Sequence, residues 1–283
     1  MMANVLERSV NLIPWRARHW IKHIPLVARL QRRVFQMFLS GREFLHTINA
    51  GPAKGLVYPI SLPLDKAIWT GAYEQTLAQV ASTAVNVGDV CYDIGAYRGF
   101  FTGVFALAGA GQVIAFEPFA ANCNQLQRLV ASNPQLPISC ENIAIGSEDG
   151  IAEFNVMADS SMGKLASSSF QAELPTADML QVPLRKIDSL VSEAKYPPPQ
   201  IMKIDVEGAE VQVLEGARQT LQVSKPILFI EAHSRNLADA CTELLEGIGY
   251  RVRVFDQSRW KEKNPQSEVC HLIAHAHAVL NET

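Results

Sequence analysis

The sequence predicts an α/β fold, one mainly parallel sheet with helices on both of its faces. Three observations predict it. From about residue 56 onward, short apolar runs alternate with longer segments of helical spacing. The runs are mostly continuous rather than alternating, as strands covered on two faces are. At 283 residues and 48% apolar composition the chain can bury one large domain core, yet no apolar run approaches the length of a membrane span.

The elements follow in order. Residues 5–48 carry Trp15, Trp20, Ile24, Val27, Leu30 and Val34 at mixed steps of three and four, with Arg and Lys between them, which predicts helices. Pro14 and Pro25 divide that stretch, and Gly51, Pro52 and Gly55 break it. Expected strands are Val90–Ile94, Gln112–Phe116, Ile138–Ile145, Ile151–Met157, Leu180–Leu184, Gln200–Ile204, Pro226–Ile230, Tyr250–Phe255 and Cys270–Ala276. Expected helices are Phe100–Leu107, Ala121–Ala131, Ala209–Leu221 and Leu237–Gly247. A Ser-rich loop, Asp159–Ser169, lies between two of the strands. The chain thus divides into a helical extension, residues 1–55, and an α/β domain, residues 56–283. In such sheets ligands bind beyond the carboxyl ends of the strands near the switch point, which directs attention to the residues after Ile94, Phe116, Ile145, Ile204 and Ile230.

Charge is uneven. Residues 1–54 hold nine Lys/Arg against Glu7 and Glu43, so the rest of the chain is acidic and a poor grip for a polyphosphate. Five cysteines, widely spaced and odd in number, form neither a disulfide framework nor a zinc pattern. With no secretory pattern at the start, a reduced, cytoplasmic setting is expected.

The loop Asp93-Ile94-Gly95-Ala96-Tyr97-Arg98-Gly99 joins a strand to a helix. Its glycines allow a tight turn and a close backbone approach to a ligand. The dinucleotide spacing Gly-x-Gly-x-x-Gly is absent, and the strand ends in an acid. Asp93 would repel a pyrophosphate at this turn but suits the ammonium of S-adenosylmethionine, which has no phosphate. Glu117, ending the next strand, can accept both ribose hydroxyls. The plain alternative is a glycine-rich turn with a capping Asp.

A second segment, Lys203-Ile204-Asp205-Val206-Glu207-Gly208-Ala209-Glu210, follows a strand and opens a helix. Three acids and a lysine there are costly unless paired or liganded. Capping explains Glu210 and in part Glu207, and Lys203 is expected to pair with an acid. Asp205 is expected to face the cleft.

On these residues the chain resembles the FkbM family of methyltransferases. The matching pieces are Gly71-Ala72-Tyr73-Glu74, Gly88 through Thr102, Ala115-Phe116-Glu117-Pro118, Asn142-Ile143-Ala144-Ile145, Lys203 through Glu210, and Ile230-Glu231-Ala232-His233. They span roughly residues 68–256; the first 50 residues fall outside. Tyr97-Arg98 departs from the family, where Asn followed by a small or apolar residue is commoner, and puts a cation at the expected cofactor edge. The resemblance implies a Rossmann-like class I methyltransferase with a seven-stranded, mostly parallel sheet whose last strand is antiparallel. It implies S-adenosylmethionine as cofactor and O-methylation of a sugar, glycolipid, polyketide or similar metabolite. Asp93, Gly95, Ala96, Tyr97, Gly99, Glu117 and Pro118 would then line the cofactor, with Asn142 and Ala144 near the adenine.

Methyl transfer to an alcohol needs alignment and a base. The candidates are Asp205, Glu231 and His233. His233 titrates in a useful range, although a lone His after a strand is more often structural. Asp205 and Glu231 could instead hold Mg²⁺ or Mn²⁺, though no compact ligand motif is present. Glu74 is either a wall of the cleft or a surface acid.

The basic residues 8–42 suit a membrane-surface helix pair, a cap on the sheet or a dimerisation arm. Competing functions are an NAD-type oxidoreductase, disfavoured by Asp93, and a nucleic-acid methyltransferase, disfavoured by the acidic body and by Pro197-Pro198-Pro199 preceding a strand. A non-catalytic cofactor-binding module is the third; no nucleic-acid partner is expected.

Overall fold

The computed structural model describes residues 41, 43–71, 73–157, 163–165, 176–255 and 269–276. The readings of residues 1–40 as basic helices, and of 8–42 as a membrane, cap or dimer surface, lie outside the described residues, as does most of the Ser-rich loop.

The described chain opens on a hairpin, β1 (Glu43–Thr47) paired antiparallel with β2 (Val57–Ser61). This corrects the helical reading of residues 43–48. Exposure alternates along β1 with the two-residue period of a strand, and Phe44 meets the Trp69 ring edge-on. The turn of this hairpin contains the position-55 boundary drawn from the sequence. Short α1 (Lys66–Trp69) and α2 (Gln75–Ala84) follow, α2 burying Leu77, Ala78 and Ala81.

The α/β part then runs β3 (Val90–Ile94), α3 (Phe100–Leu107), β4 (Gln112–Phe116), α4 (Ala120–Ser132) and β5 (Ile138–Glu141). Next come β6 (Ala144–Ile145), β7 (Gly150–Met157), β8 (Gly163–Leu165), β9 (Thr176–Arg185) and α5 (Ile187–Ser192). The last elements are β10 (Ile201–Ile204), α6 (Glu210–Glu215), α7 (Arg218–Ser224), β11 (Ile227–Ala232), α8 (Arg235–Gly247), β12 (Tyr250–Phe255) and β13 (Cys270–Ala276).

Seven strands form the main sheet in the order β12-β13-β11-β10-β3-β4-β5. Neighbours from β11 to β5 pair in parallel, while β13 runs antiparallel to both β11 and β12. This is the seven-stranded Rossmann-like sheet, with its last strand reversed, that the sequence led us to expect. Strand order changes direction between β3 and β10, so the crevice for a ligand opens beyond Ile94 and Ile204, which are register partners.

Two expected elements are divided. The run 138–145 becomes β5 in the main sheet and β6 in a second sheet of order β6-β9-β7-β8. The Asn142 amide, donating to the carbonyls of Glu117 and Pro118 at 2.8 and 2.9 Å, holds the chain where it changes sheet. The single helix expected over 209–221 is broken at Gly216. A side chain there would overlap the Gly146 carbonyl oxygen, and Asp188 caps α7 by accepting from the N–H groups of Gln219 and Thr220. On α8, Ser234 caps by accepting from the Leu237 N–H, and Ala238, Cys241 and Leu245 turn inward.

The core lies on both faces of the main sheet. Tyr92, Ile94, Ile114 and Phe116 point to α5–α8, and Cys91, Val113, Ile201 and Phe229 point to the hairpin, α2 and α3. A buried ion pair, Arg98 to Asp65 at 2.7 Å, ties the β3–α3 loop to the chain after β2, and the Tyr58 hydroxyl donates to the Arg98 carbonyl at 3.0 Å. Arg98 therefore turns away from the cofactor edge where the sequence reading had put a cation. Removing one partner of such a pair costs about 3–5 kcal/mol, because the other charge stays buried.

Candidate active site

A cavity of about 350 Å³ opens at the carboxyl ends of the central strands. Its size is that of a pocket for a small ligand. One end is lined by Gly95, Tyr97, Glu117, Pro118, Ile143 and Ala144, the other by Tyr73, Glu74, Asp205, Val206, Glu207 and Glu231.

The first end is made of backbone. Gly95 has φ +75°, and a Cβ built on it would overlap the Asp205 carbonyl oxygen, so the loops after β3 and β10 rest directly on one another. The N–H groups of Gly95 and Ala96 both donate to the Phe116 carbonyl at 3.0 Å. The next N–H, of Tyr97, donates to Glu117 at 2.8 Å, and the Phe119 N–H donates to the other Glu117 oxygen at 2.9 Å. Glu117 is thus aimed along the cavity by two backbone amides. Burial raises its carboxyl to about 7 despite those bonds.

The remaining expected cofactor residues fall in three places. Pro118 and Ala144 border the cavity. Asp93 and Ala96 border a smaller hollow behind it with Lys203 and Tyr73. Asp93 accepts from the Thr102 hydroxyl at 2.6 Å, while its other oxygen is buried without a hydrogen bond; burial raises this carboxyl against the pull of Lys203. Gly99, at φ +86°, starts α3 against Leu126, away from the cavity. Asn142 spends its amide on the Glu117 and Pro118 carbonyls, and its neighbour Ile143 meets the cavity in its place.

The second end is a network of charged side chains. Asp205, Glu231 and His233 come together: one potential ligand atom of each lies within 4.8 Å of the others. Lys203 donates to Asp205 at 2.9 Å, as the pairing expectation had it, and sits 4.9 Å from the centre of the Phe101 ring. His233 lies behind the lining, with Nδ1 2.8 Å from Glu210, and Nε2 3.2 Å from Glu207 and 3.6 Å from Asp205. Glu210 also accepts from the Gly208 N–H, as its capping role requires.

Burial alone would lower His233, but the hydrogen bond to Glu210 and the charges of Asp205 and Glu207 raise it to about 10. Burial raises Asp205, opposed by Lys203, and raises Glu207 to about 7, opposed by His233. For Glu231 burial is outweighed by His271 and Lys203, and the carboxyl is held low.

Three participants escape the sequence reading. His271 on β13 lies 3.3 Å from Glu231 and 3.6 Å from Glu74. Its register partner is Glu231, a pairing that only the antiparallel strand creates. Glu207, read in part as a cap, borders the cavity, its backbone in the left-handed region at φ 53°. Phe154 of β7 joins the wall, stacked on Phe119. No local signal marks His271 or Phe154; for Glu207 the following Gly208 hinted at an irregular backbone.

Comparison with known proteins follows the same segments. A family profile described as the methyltransferase FkbM domain matches residues 93–252. The hexuronic acid methyltransferase AglP of Haloferax volcanii is 26% identical over 163 residues, 57% of this chain and 63% of that protein. Among solved structures, a methyltransferase FkbM from Methylobacillus flagellatus KT aligns with a TM-score of 0.45 and 20% identity, over 66% of this chain and 43% of that one. A Streptococcus mutans protein solved in complex with SAH aligns with a TM-score of 0.45 and 8% identity, over 71% of this chain and 96% of that one. The chain therefore spans less than two thirds of the length of both the Haloferax and the Methylobacillus proteins. Among the described residues, no helix is long and apolar enough to cross a membrane.

Proposed function

The chain belongs to the FkbM methyltransferase family, and on that premise we propose that it transfers a methyl group from S-adenosylmethionine to a hydroxyl of a sugar, glycolipid or polyketide-like metabolite. The observation that carries this reading is the two-ended cavity at the switch point. A glycine cradle and an aimed carboxylate stand at one end, and a carboxylate network stands at the other. The Haloferax relative, named for methylating a hexuronic acid, supports a sugar as the acceptor class.

The residues present fit this donor. Gly95 leaves room for close backbone approach, Glu117 offers carboxylate oxygens to a ribose diol, and the unbonded oxygen of Asp93 suits an ammonium. When bound, the donor supplies an electrophilic methyl on a sulfonium. The chain's task is then to align the acceptor and take its proton. We assign the base to Glu207. Its carboxyl borders the cavity, and its proton affinity near neutrality suits general-base work. His233, held protonated by the carboxylates around it, acts as a fixed cation that orients Glu207 and Asp205 rather than as one of the three candidate bases. Lys203 holds Asp205 by an ion pair, and His271 lies within hydrogen-bond distance of Glu231.

The spacing of Asp205, Glu231 and His233 also favours a second reading, a divalent cation such as Mg²⁺ held by the three. We favour the ion-pair reading, since Asp205 already faces Lys203 and His233, and Glu231 lies 3.3 Å from His271. Turnover unchanged after exhaustive chelation is its expected outcome; loss restored by Mg²⁺ or Mn²⁺ would establish the metal reading.

The function is tested by incubating the protein with methyl-labelled S-adenosylmethionine and a panel of glycan, glycolipid and polyketide acceptors. Labelled product detected by mass is expected, and its rate of formation should fall about 100-fold or more for Glu207→Gln. Tight binding of NAD with no binding of S-adenosylmethionine would return the site to the oxidoreductase alternative. Donor binding with no transfer to any acceptor class would favour a non-catalytic module. The peripheral membrane contact and the homodimer arm expected from the sequence rest on residues 8–42; liposome co-sedimentation with and without residues 1–50 tests the membrane contact.

A further inference from the structure

The acceptor end carries a sign of charge that bears on which hydroxyl compounds can enter. Among the described residues the acceptor end of the cavity is lined by four acids, Glu74, Asp205, Glu207 and Glu231, and no Lys, Arg or His lines the cavity at either end. The basic side chains of the network, Lys203, His233 and His271, are each at most 6% exposed and stand behind the carboxylates they pair with. Asp93 and Glu210 add further buried acids to the same neighbourhood, so carboxyls outnumber cations there. The surface an acceptor meets is thus one of carboxylate oxygens. These accept hydrogen bonds from hydroxyl or ammonium groups and repel an anion held within a few ångströms in a partly desolvated site. Beside them Leu64 and Tyr73 offer apolar surface, which suits the C–H face of a ring.

We propose that the site selects an uncharged or cationic polyol ring and excludes one bearing a carboxylate or phosphate next to the reacting hydroxyl, a preference opposite in charge to that of the Haloferax relative, which is named for a hexuronic acid. The inference rests on the methyl-transfer reading above and deepens it by naming the charge class of the acceptor. Exclusion comes from repulsive groups built into the wall as much as from attractive ones. Glu74 and Glu231 set it most directly, because both face the acceptor end and share His271. A free sugar and the sugar of a glycolipid present the same ring, so the selection applies to either source.

The test need not know the acceptor. S-adenosylhomocysteine and three sulfonium derivatives are titrated by calorimetry, the derivatives carrying a hydroxyethyl, aminoethyl or carboxymethyl group where the transferred methyl would be. That group projects into the acceptor end. We expect the hydroxyethyl and aminoethyl probes to bind within a few-fold of one another, and the carboxymethyl probe at least about tenfold more weakly. Glu74→Gln and Glu231→Gln should each narrow the gap. Carboxymethyl binding equal to or tighter than hydroxyethyl in the unaltered protein would overturn the inference, whether or not the variants fold. Failure of S-adenosylhomocysteine itself to bind would instead overturn the cofactor reading, and the inference with it.

Discussion

At the β3–β4 end of the cavity the polar groups are backbone amides and one carboxylate, Glu117, which the N–H groups of Tyr97 and Phe119 hold in place. At the β10–β11 end they are side chains, carboxylates of Asp205, Glu207 and Glu231 set against Lys203, His233 and His271. The first arrangement depends on the path of a short loop and is rigid. The second depends on three separate stretches of chain and is balanced by charge. A site can thus fix one ligand by geometry and handle the chemistry of another by electrostatics within one cavity. Each end should fail in its own way.

The sharpest break is at Gly95. An added methyl would overlap the Asp205 carbonyl and force a backbone at φ +75°. Gly95→Ala should weaken donor binding by more than about 100-fold, because small misplacements in such cradles carry that cost; calorimetry reads it. Near-normal affinity would show that the two loops separate freely. At the other end, Glu207→Gln should lower kcat by about 10²-fold or more with donor KM changed little, read by steady-state kinetics. A fall in donor affinity instead would mean that Glu207 belongs to the cofactor end.

Glu117→Gln should do the reverse, weakening the donor by about tenfold while kcat at saturation is kept, as loss of a charge-assisted hydrogen bond predicts. The smallest effect is that of pH. Burial raises Glu117 and Glu207 alike to about 7, so both lose their charge as pH falls below that value. Then kcat/KM should climb through pH 7 and level off, and Glu207→Gln should flatten the kcat limb alone. Stability runs the other way. With native values above the ordinary carboxylate value, the folded state binds protons more readily than the unfolded one. The contribution of these two groups to stability is therefore lost as pH rises from about 4.5 to 7. Thermal melts across this range should show the opposition; a melting temperature that rises with pH while both groups ionise would refute the assignment.

The same contrast explains what could be read in advance. The strand–loop–helix units around Asp93–Gly99 and Glu117 are local, and the glycines and strand-end acids that build them are visible as spacing. Asp205, Glu231 and His233 also stood out, each at or just past the end of a strand. Their partners did not. His271 meets Glu231 only because β13 inserts antiparallel between β11 and β12, and Arg98 finds Asp65 across a turn that carries no motif. Helical spacing in residues 43–48 was misleading because three-and-four steps and two-residue alternation coincide over so short a run, and pairing with Val57–Ser61 decided it. The break at Gly216 was hidden for a similar reason: only the approach of Gly146 makes that glycine a boundary.

Three side chains on the cavity wall, Glu74, Tyr97 and Glu207, sit in the left-handed region at φ 42°, 51° and 53°. Each such residue costs the fold on the order of 1–3 kcal/mol. Exchanging them for glycine would relieve that cost and at the same time take two carboxylates and an aromatic ring from the wall. A programme that rewards heat resistance alone would therefore drift toward these replacements and deliver a tougher protein with an emptied site. The strain marks where endurance and catalysis compete for the same positions.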